Sequence, residues 1–197
     1  MEKVHINGEV RPVSGKSING GLRREGKLPA VIYGRKDNIL FSTSAKAVKD
    51  IVYTPDFKLA EIDIDGATHL CILKDIQFHP VSEEIVHIDF LKLYDGVPVK
   101  LEVPIRFKGS SPGVKLGGKL IQQLRKVKIK TTPEHMVDTM YADISDLGLG
   151  QAIRVKDLIS NDKIEIVNNP AVPIATIEIP RALKSAAAAE AKATKGK

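Results

Sequence analysis

Apolar and polar residues alternate most regularly between residues 98 and 109, in PVKLEVPIRFKG. Val99, Leu101, Val103, Ile105 and Phe107 fall on one side of a chain with period two, and charged residues and prolines fill the other side. This pattern predicts a half-buried β-strand. Shorter apolar or alternating runs predict further strands in KVHINGEVRPV, PAVIYG, NILFSTS, AEIDIDGATHLCIL, KDIQFHPV, EIVHIDFLKL, KVKIKT, MVDTMYADIS and AVPIATIEIP.

Helical periodicity is confined to short segments of the chain. In SAKAVKDIVYT, an apolar stripe of Ala45, Val48, Ile51 and Val52 follows Ser44, which predicts a helix with a serine N-cap. RVKDLIS is the helix candidate in the second half of the chain. The glycine-rich stretches SGKSINGG and GSSPGVKLGGK predict loops.

Glycines mark three expected turns or bends. Asp65-Gly66 lies between two alternating runs and predicts a β-hairpin. Gly26 is expected to end a short helical turn in GLRREG, with Pro29 shortly after it. Asn7-Gly8 predicts a bulge or bend in the first strand, because the runs around it are too short for a hairpin.

Many short strands with few helices indicate a mainly β protein. We expect a small N-terminal β-barrel with short helices over residues 1–94, followed by a second β-rich domain over residues 95–182. Residues 183–197 form an Ala/Lys-rich tail of low complexity, which we expect to be disordered because it has no apolar face to bury.

Charge is distributed in blocks along this chain of net charge +6. Residues 1–36 carry eight Lys/Arg and three acidic residues, and residues 95–130 carry nine Lys/Arg and two acidic residues. In residues 37–94 and 131–182, by contrast, acidic residues outnumber Lys and Arg. Such blocks predict a surface that faces a polyanion and is built from particular segments. Clustered but merely solvated surface charge explains the composition equally well.

The single cysteine and the apolar segments of the chain indicate the cellular compartment in which the protein is expected. Cys71 lies in an apolar run and is expected to be a buried small hydrophobe rather than a nucleophile. One cysteine allows no disulfide framework, which fits a reducing compartment. The N-terminus lacks the apolar region of a signal peptide, and no apolar run reaches the ~18 residues of a membrane span. We therefore expect a cytoplasmic protein without membrane contact.

Few residues have the spacing of a catalytic or metal site. The five histidines show no metal-ligand spacing, so no metal site is predicted. Gly15-Lys16-Ser17 is similar to the end of a P-loop, but Arg11 stands where the first glycine is required. We predict no catalytic residue, no metal and no cofactor.

His87 and Asp89 share one side of the predicted strand EIVHIDFLKL. Residues two apart on a strand are separated by ~7 Å, which is too far for a direct contact of the Ser-His-Asp type without help but suits two contacts to one ligand. Spacing alone favours the alternative that they are two ordinary exposed polar residues.

The segment LRREGKLPAVIYG places positive charge directly before a strand. Arg23 and Arg24 are adjacent and point in different directions, so they cannot both contact one phosphate. We expect one arginine to contact nucleic acid, while the other packs against the protein or pairs with Glu25. Tyr33 adds a ring and a hydroxyl at the end of the strand, which makes this segment a candidate nucleic-acid surface.

Three motifs together resemble one family: LRREGKLPAVIYG, FHPVSEEIVHIDF and VPVKLEVPIRFKGSSPGVKLGGKL. The chain is similar, from about Glu9 to Pro180, to the bacterial large-subunit ribosomal protein family twenty-five in its long, two-domain form, also called the general stress protein Ctc. The resemblance implies a β-barrel N-terminal domain that binds 5S rRNA and a β-rich C-terminal domain. It places RNA contacts at Arg11, Arg24, Tyr33, His87 and Asp89, with assistance from Lys16 and Arg23.

The leading hypothesis is therefore a structural protein of the large ribosomal subunit that binds 5S rRNA and is not an enzyme. Its basic segment 95–130 is expected to contact 23S rRNA or a neighbouring ribosomal protein. One alternative is a stress-associated RNA-binding protein that acts off the ribosome. The other is a small phosphoesterase using His87 and Asp89, for which the sequence supplies neither a nucleophile nor metal ligands.

Overall fold

The computed structural model describes residues 1–11, 15–35, 38–159 and 163–180. These residues form two compact units, the first containing residues 1–101 and 131–138 and the second residues 102–130 and 139–180. Strands dominate both, which confirms the mainly β fold. None of the helices in the described part of the chain is long and apolar enough to cross a lipid bilayer.

The first unit contains a closed six-stranded barrel. The strands follow the order β1-β3-β2-β6-β5-β4, and parallel pairing of β1 with β4 closes the ring. β2 also pairs in parallel with β6, so the carboxyl ends of these two strands lie at the same end of the barrel. Closure leaves no unpaired sheet edge. The strands are β1 (Lys3–Val10), β2 (Lys27–Tyr33), β3 (Asn38–Ser44), β4 (Leu59–Ile64), β5 (Ala67–Phe78) and β6 (Ile85–Lys92).

Aliphatic side chains and two phenylalanines fill the barrel. Phe41 and Phe90 are both completely buried, and their ring centroids lie 6.1 Å apart. Gly8 leaves space for this packing, because a Cβ at that position would lie only 2.5 Å from Cδ2 of Phe41. The bulge or bend expected at Asn7-Gly8 is wrong: β1 runs through both residues, which pair with Asp63 and Ile64 of β4.

The first helix corrects a sequence-based expectation. α1 (Lys16–Arg24) occupies most of the stretch SGKSINGG that was expected to be a loop. It buries no residue and contains Gly20 and Gly21, so neither an apolar stripe nor helix propensity indicates it. Gly26 does adopt the left-handed conformation after the helix, with φ of 75°, as expected for a residue that follows a helix end.

The second helix is shorter than predicted. α2 (Lys49–Val52) is a single turn, and Ser44 ends β3, where it pairs with Lys27. Its Oγ accepts from the Lys46 N–H at 3.3 Å, so the serine caps the turn that leads to α2 and not α2 itself. Val48 and Ile51 are nevertheless buried, as the apolar stripe indicated. Ser44 thus takes part in the sheet with its backbone and caps the following turn with its side chain.

The β4–β5 hairpin confirms the expected turn. Asp65 and Gly66 have φ angles of 51° and 81°, and the Gly66 N–H donates to Asp63 Oδ1 at 3.1 Å. KDIQFHPV does not form a separate strand, because β5 continues through it to Phe78. The register shifts inside β5, so Leu73 and Asp75 oppose consecutive residues of β6 and Lys74 is the extra residue of a β-bulge.

The remaining strands form two open sheets. A five-stranded sheet has the order β12-β10-β7-β9-β13, and a three-stranded sheet has the order β11-β14-β8. Buried Val103, Ile105, Val127 and Ile129 confirm the alternation predicted for β7 and β9. The strands are β7 (Val99–Lys108), β8 (Lys119–Gln122), β9 (Lys126–Thr131), β10 (Met140–Asp143), β11 (Ala152–Arg154), β12 (Leu158–Ile159), β13 (Glu165–Ile166) and β14 (Pro173–Glu178).

Two segments of the second unit differ from their predictions. The glycine-rich stretch expected to be a loop contains the one-turn helix α3 (Pro112–Lys115), because Ser111 Oγ accepts from the N–H groups of Gly113 and Val114. RVKDLIS forms no α-helix but a 3₁₀ turn, Val155–Asp157, between β11 and β12. The tail 183–197 lies outside the described residues.

Candidate nucleic-acid interface

Tyr33 and Asp89 are joined across the two parallel strands β2 and β6. Val31 pairs with Asp89, so Tyr33 lies two residues further along β2 and leans back toward the carboxylate. The Tyr33 hydroxyl donates to Asp89 Oδ2 at 2.5 Å. This hydrogen bond, then burial and the negative charges of Asp89 and Asp75, raise the pKa of Tyr33 to about 12. The phenol is therefore neutral at physiological pH and is held in one orientation by the carboxylate.

His87 and Asp89 are in direct contact, which corrects the expectation that they are too far apart. His87 Nδ1 lies 2.7 Å from Asp89 Oδ1. Both atoms are buried, yet neither has a hydrogen-bond partner, so the pair makes a close polar contact without hydrogen-bond alignment. Strand spacing describes backbone separation, and two side chains on the same side can close that distance by leaning together.

Arg23 connects α1 to β6 beside this cluster. Its Nε donates to the backbone carbonyl of Val86 at 3.2 Å, next to His87 in the chain. Arg24 is exposed at the adjacent position of the last helical turn. Arg23 is therefore the arginine that packs, against a backbone carbonyl of β6, and nucleic-acid contact by Arg24 stays a prediction. Positive charge at a helix C-terminus is also favourable for the helix itself, by about 0.3–1 kcal/mol.

Arg11 holds α1 against β2. Only 8% of the residue is exposed; Nη1 donates to Asn19 Oδ1 at 2.5 Å and Nη2 to the Ala30 carbonyl at 3.4 Å. Burial, followed by the nearby positive charge of Arg23, lowers the pKa of Arg11. Its Nε is buried without a hydrogen-bond partner. Arg11 is thus placed to position the helix more than to meet a ligand directly.

We call this arrangement the α1–β6 surface, and most of its members are connected. Arg11 and Arg23 fasten the helix, and Tyr33, His87 and Asp89 form one contiguous polar cluster on β2 and β6. Lys16 is exposed at the first residue of α1, about 12 Å along the helix axis from Arg24. The surface consists of Arg11, Lys16, Arg23, Arg24, Tyr33, His87 and Asp89.

Sequence reasoning missed Asn19, which supports this surface from within α1. Its side chain accepts the hydrogen bond from Arg11 and so connects the end of β1 to α1. In the sequence, Asn19 stands before two glycines and resembles an ordinary loop residue. Its partner is eight residues away, and no local pattern indicates that pairing.

Other titratable candidates of the first unit have structural roles. Cys71 is completely buried, and burial raises its pKa to about 12, which confirms the expected buried hydrophobe. His79 Nδ1 accepts from the N–H groups of Val81 and Ser82, so His79 is part of a turn. Within the described residues there is no group of three or more His, Cys, Asp or Glu side chains arranged to hold a metal ion.

Comparison with known proteins relates both halves of the chain to ribosomal proteins. Residues 6–90 match the Ribosomal L25p family, and residues 98–181 match the C-terminal domain of ribosomal protein TL5. The large ribosomal subunit protein bL25 of Amoebophilus asiaticus is 39% identical over 99% of this chain and 100% of the relative. The chain belongs to the bL25 family.

Two further bL25 relatives show the same extent of similarity. The protein of Cytophaga hutchinsonii is 36% identical and that of Bacteroides thetaiotaomicron 34% identical, each over 98% of this chain and 100% of the relative. The bL25 match to the barrel and the TL5 match to the second region confirm the long, two-domain form indicated by the sequence motifs.

Proposed function

We propose that this chain is a structural component of the large ribosomal subunit and that its barrel binds 5S rRNA through the α1–β6 surface. The observation that carries the first part is similarity over nearly the whole chain to proteins named large ribosomal subunit protein bL25. The second part rests on the residues implied by the family resemblance. Residues 1–94 are the RNA-binding domain in this proposal and residues 95–182 a second domain.

The positive side chains of α1 are suited to phosphate contacts. Lys16, Arg23 and Arg24 are exposed on one helix, and Arg23 is fastened to β6. Contacts to phosphates position a protein on nucleic acid, while base edges supply sequence recognition. We therefore assign α1 to the RNA backbone and the polar cluster on β2 and β6 to nucleotide edges.

Asp89 acts in this proposal by orienting two neighbours. A carboxylate that faced phosphates directly would repel them, but this one holds the Tyr33 hydroxyl and touches His87. The buried Nδ1 of His87 and Oδ1 of Asp89 lie 2.7 Å apart without meeting hydrogen-bond geometry. An RNA amino group or hydroxyl that donates to this carboxylate oxygen would satisfy it and favour the bound state.

The second domain is proposed to make a separate contact, to 23S rRNA or to a neighbouring ribosomal protein. Lys126, Lys128 and Lys130 alternate along β9 with buried Val127 and Ile129, so the three lysines share the outer side of the strand. They belong to the segment 95–130, which carries nine Lys/Arg and two acidic residues. This row of charge supports a polyanionic partner or an acidic protein surface.

Chemical footprinting of 5S rRNA with and without the full chain tests the proposal. We expect one protected region at limiting protein, and much weaker protection of an unrelated structured RNA of the same length. Equal affinity for both RNAs would favour the stress-associated role off the ribosome. Absence of protection at all protein concentrations would contradict 5S rRNA binding. The proposal includes no enzymatic activity and a cytoplasmic, ribosome-associated location, and turnover of RNA or phosphoesters would contradict its non-enzymatic part.

A further inference from the structure

A cavity of about 320 Å³ lies in the first unit at the carboxyl ends of the parallel strands β2 and β6. The cavity shares none of its described lining residues with the α1–β6 surface. Among the described residues that line it, four are cationic and none is acidic, and most of the others are apolar or aromatic. The residues that matter here are Arg35, Lys74, Leu91, Lys92, Tyr94 and Lys100.

The sheet directs these groups to one place. Lys74 is the extra residue of the β5 bulge, and bulges commonly re-aim a side chain. Arg35 follows β2, and its backbone N–H donates to the Tyr94 hydroxyl at 3.3 Å. Lys92, the last residue of β6, places Nζ 5.7 Å from the centroid of the Tyr94 ring. The aromatic ring is thus held at both its hydroxyl and its face.

The lining defines the chemistry of the occupant. The four described cations favour an anion, and phosphate suits the charged hydrogen-bond donors of Arg and Lys. Tyr94 and Leu91 add aromatic and apolar surface to the lining, which suits an aromatic ring. A volume of 320 Å³ is at the lower end of the range for ligand sites, about 300–1,000 Å³, so the occupant is small.

We propose that this cavity binds a single nucleotide, with the base against Tyr94 and Leu91 and the phosphate among Arg35, Lys74, Lys92 and Lys100. A nucleoside phosphate has two sources: an unpaired nucleotide of the bound RNA, or a free mononucleotide. The first source rests on the proposed function and extends its RNA surface. The second source is independent of it.

Titration of the ¹⁵N-labelled full chain with adenosine 5′-monophosphate tests the chemistry. We expect saturable amide shifts at Gly34, Arg35, Leu91 and Tyr94, and at least about tenfold weaker binding in Tyr94→Leu and in Lys74→Ala. The matched controls Tyr53→Leu and Lys46→Ala replace exposed residues of the same unit that do not line the cavity, and should bind like wild type. Equal binding of inorganic phosphate at the same amides would overturn the assignment to a nucleotide.

Affinity for 5S rRNA, measured with the same four variants, distinguishes the two sources. A loss of about tenfold in Tyr94→Leu, absent in Tyr53→Leu, identifies the RNA as the source. Loss of mononucleotide binding with unchanged RNA affinity identifies the free nucleotide. No saturable shift together with unchanged RNA affinity overturns the proposal. Mononucleotide binding by a wild-type chain that fails to bind 5S rRNA would contradict the proposed function and leave the cavity assignment standing.

Discussion

Two arginines of the barrel are fixed by hydrogen bonds to other elements, whereas two lysines of the second unit lie in exposed ion pairs. In the barrel, Arg11 and Arg23 hydrogen-bond to other elements, and the polar cluster beside them is in mutual contact. In the second unit, Lys128 lies 3.6 Å from Glu102 and Lys130 2.9 Å from Glu165. Those pairs are solvent-exposed, with 63% and 55% of the first pair's side chains accessible.

The difference shows that net charge alone does not identify a specific surface. Residues 1–36 have a net charge of +5 and residues 95–130 have a net charge of +7. Net charge alone would therefore choose the second segment as the RNA-binding surface. Exposed ion pairs contribute only about 0–1 kcal/mol and leave the side chains free to rearrange. Hydrogen bonds that cross from helix to sheet instead keep donors in fixed positions. We therefore expect specific 5S rRNA recognition from the barrel and less specific contacts from β9.

The largest expected effect concerns the rigidity of the barrel. Phe41→Ala removes a completely buried ring that packs against Phe90, and should lower the free energy of unfolding by about 3–5 kcal/mol. Tyr141→Ala in the second unit removes a 48% exposed ring and should change it by less than about 0.5 kcal/mol. Urea denaturation of both variants measures the difference. A cost below about 1 kcal/mol for Phe41→Ala would contradict a tightly packed barrel.

Strand β7 and the β4–β5 hairpin could be predicted because their signals are local. Alternation identifies which side of β7 is buried, and Asp65-Gly66 has the residue types that a turn with positive φ requires. α1 could not be predicted in the same way. It has two internal glycines and no buried residue, and contacts from Arg11 and from Arg23 hold it in place. Such contacts depend on residues brought together only by the fold.

In the candidate site, too, the sequence indicated which residues take part but not how their side chains contact each other. The family resemblance named all seven residues, but strand spacing predicted separation for His87 and Asp89, which lie 2.7 Å apart. Their contact depends on side-chain rotamers, which a sequence pattern does not contain. The buried state of Arg11 was also not indicated, since arginine is usually exposed. Its partner Asn19 is recognisable only after α1 is in place.

The second expected effect tests whether the polar cluster acts as a unit. Asp89→Ala removes the acceptor of the Tyr33 hydroxyl and the neighbour of His87, and should weaken 5S rRNA binding about 10- to 100-fold. Asp50→Ala removes an exposed carboxylate on α2 and serves as the matched control. Filter binding at constant salt, with circular dichroism to verify folding, measures both. Equal affinities of the two folded variants would show that the cluster is not part of the RNA surface.

A third effect is specific to the hydrogen bond between Tyr33 and Asp89. Asp89→Asn removes the negative charge at the acceptor and should lower the pKa of Tyr33 from about 12 toward its ordinary value near 10. NMR of ¹³C-labelled tyrosine follows this titration directly. An unchanged Tyr33 pKa in the variant would assign the shift to burial alone.

The same pKa shift predicts how stability depends on pH. The folded state keeps the Tyr33 proton to a higher pH than the unfolded chain, so its contribution is fully present below about pH 10 and is lost as pH rises toward 12. Wild type should therefore lose more unfolding free energy than Tyr33→Phe between these pH values. An identical pH dependence of the two proteins would count against the raised pKa.

The smallest effect is expected in the second unit. Lys128→Ala removes one partner of an exposed ion pair and should change the free energy of unfolding by no more than about 0.5 kcal/mol. Urea denaturation at low and high salt provides the measurement. A loss above about 1 kcal/mol that disappears at high salt would show that these pairs contribute to stability as the barrel contacts do.

Binding of 5S rRNA by two double variants with equal charge loss tests the central claim most directly. Lys16→Ala/Arg24→Ala removes two exposed charges from α1, and Lys126→Ala/Lys128→Ala removes two from β9. We predict that the α1 variant weakens binding at least about tenfold and reduces the log–log salt slope by about 1.4–1.8, while the β9 variant binds within about twofold of wild type. Equal losses in the two variants, or a larger loss in the β9 variant, would contradict recognition by the α1–β6 surface.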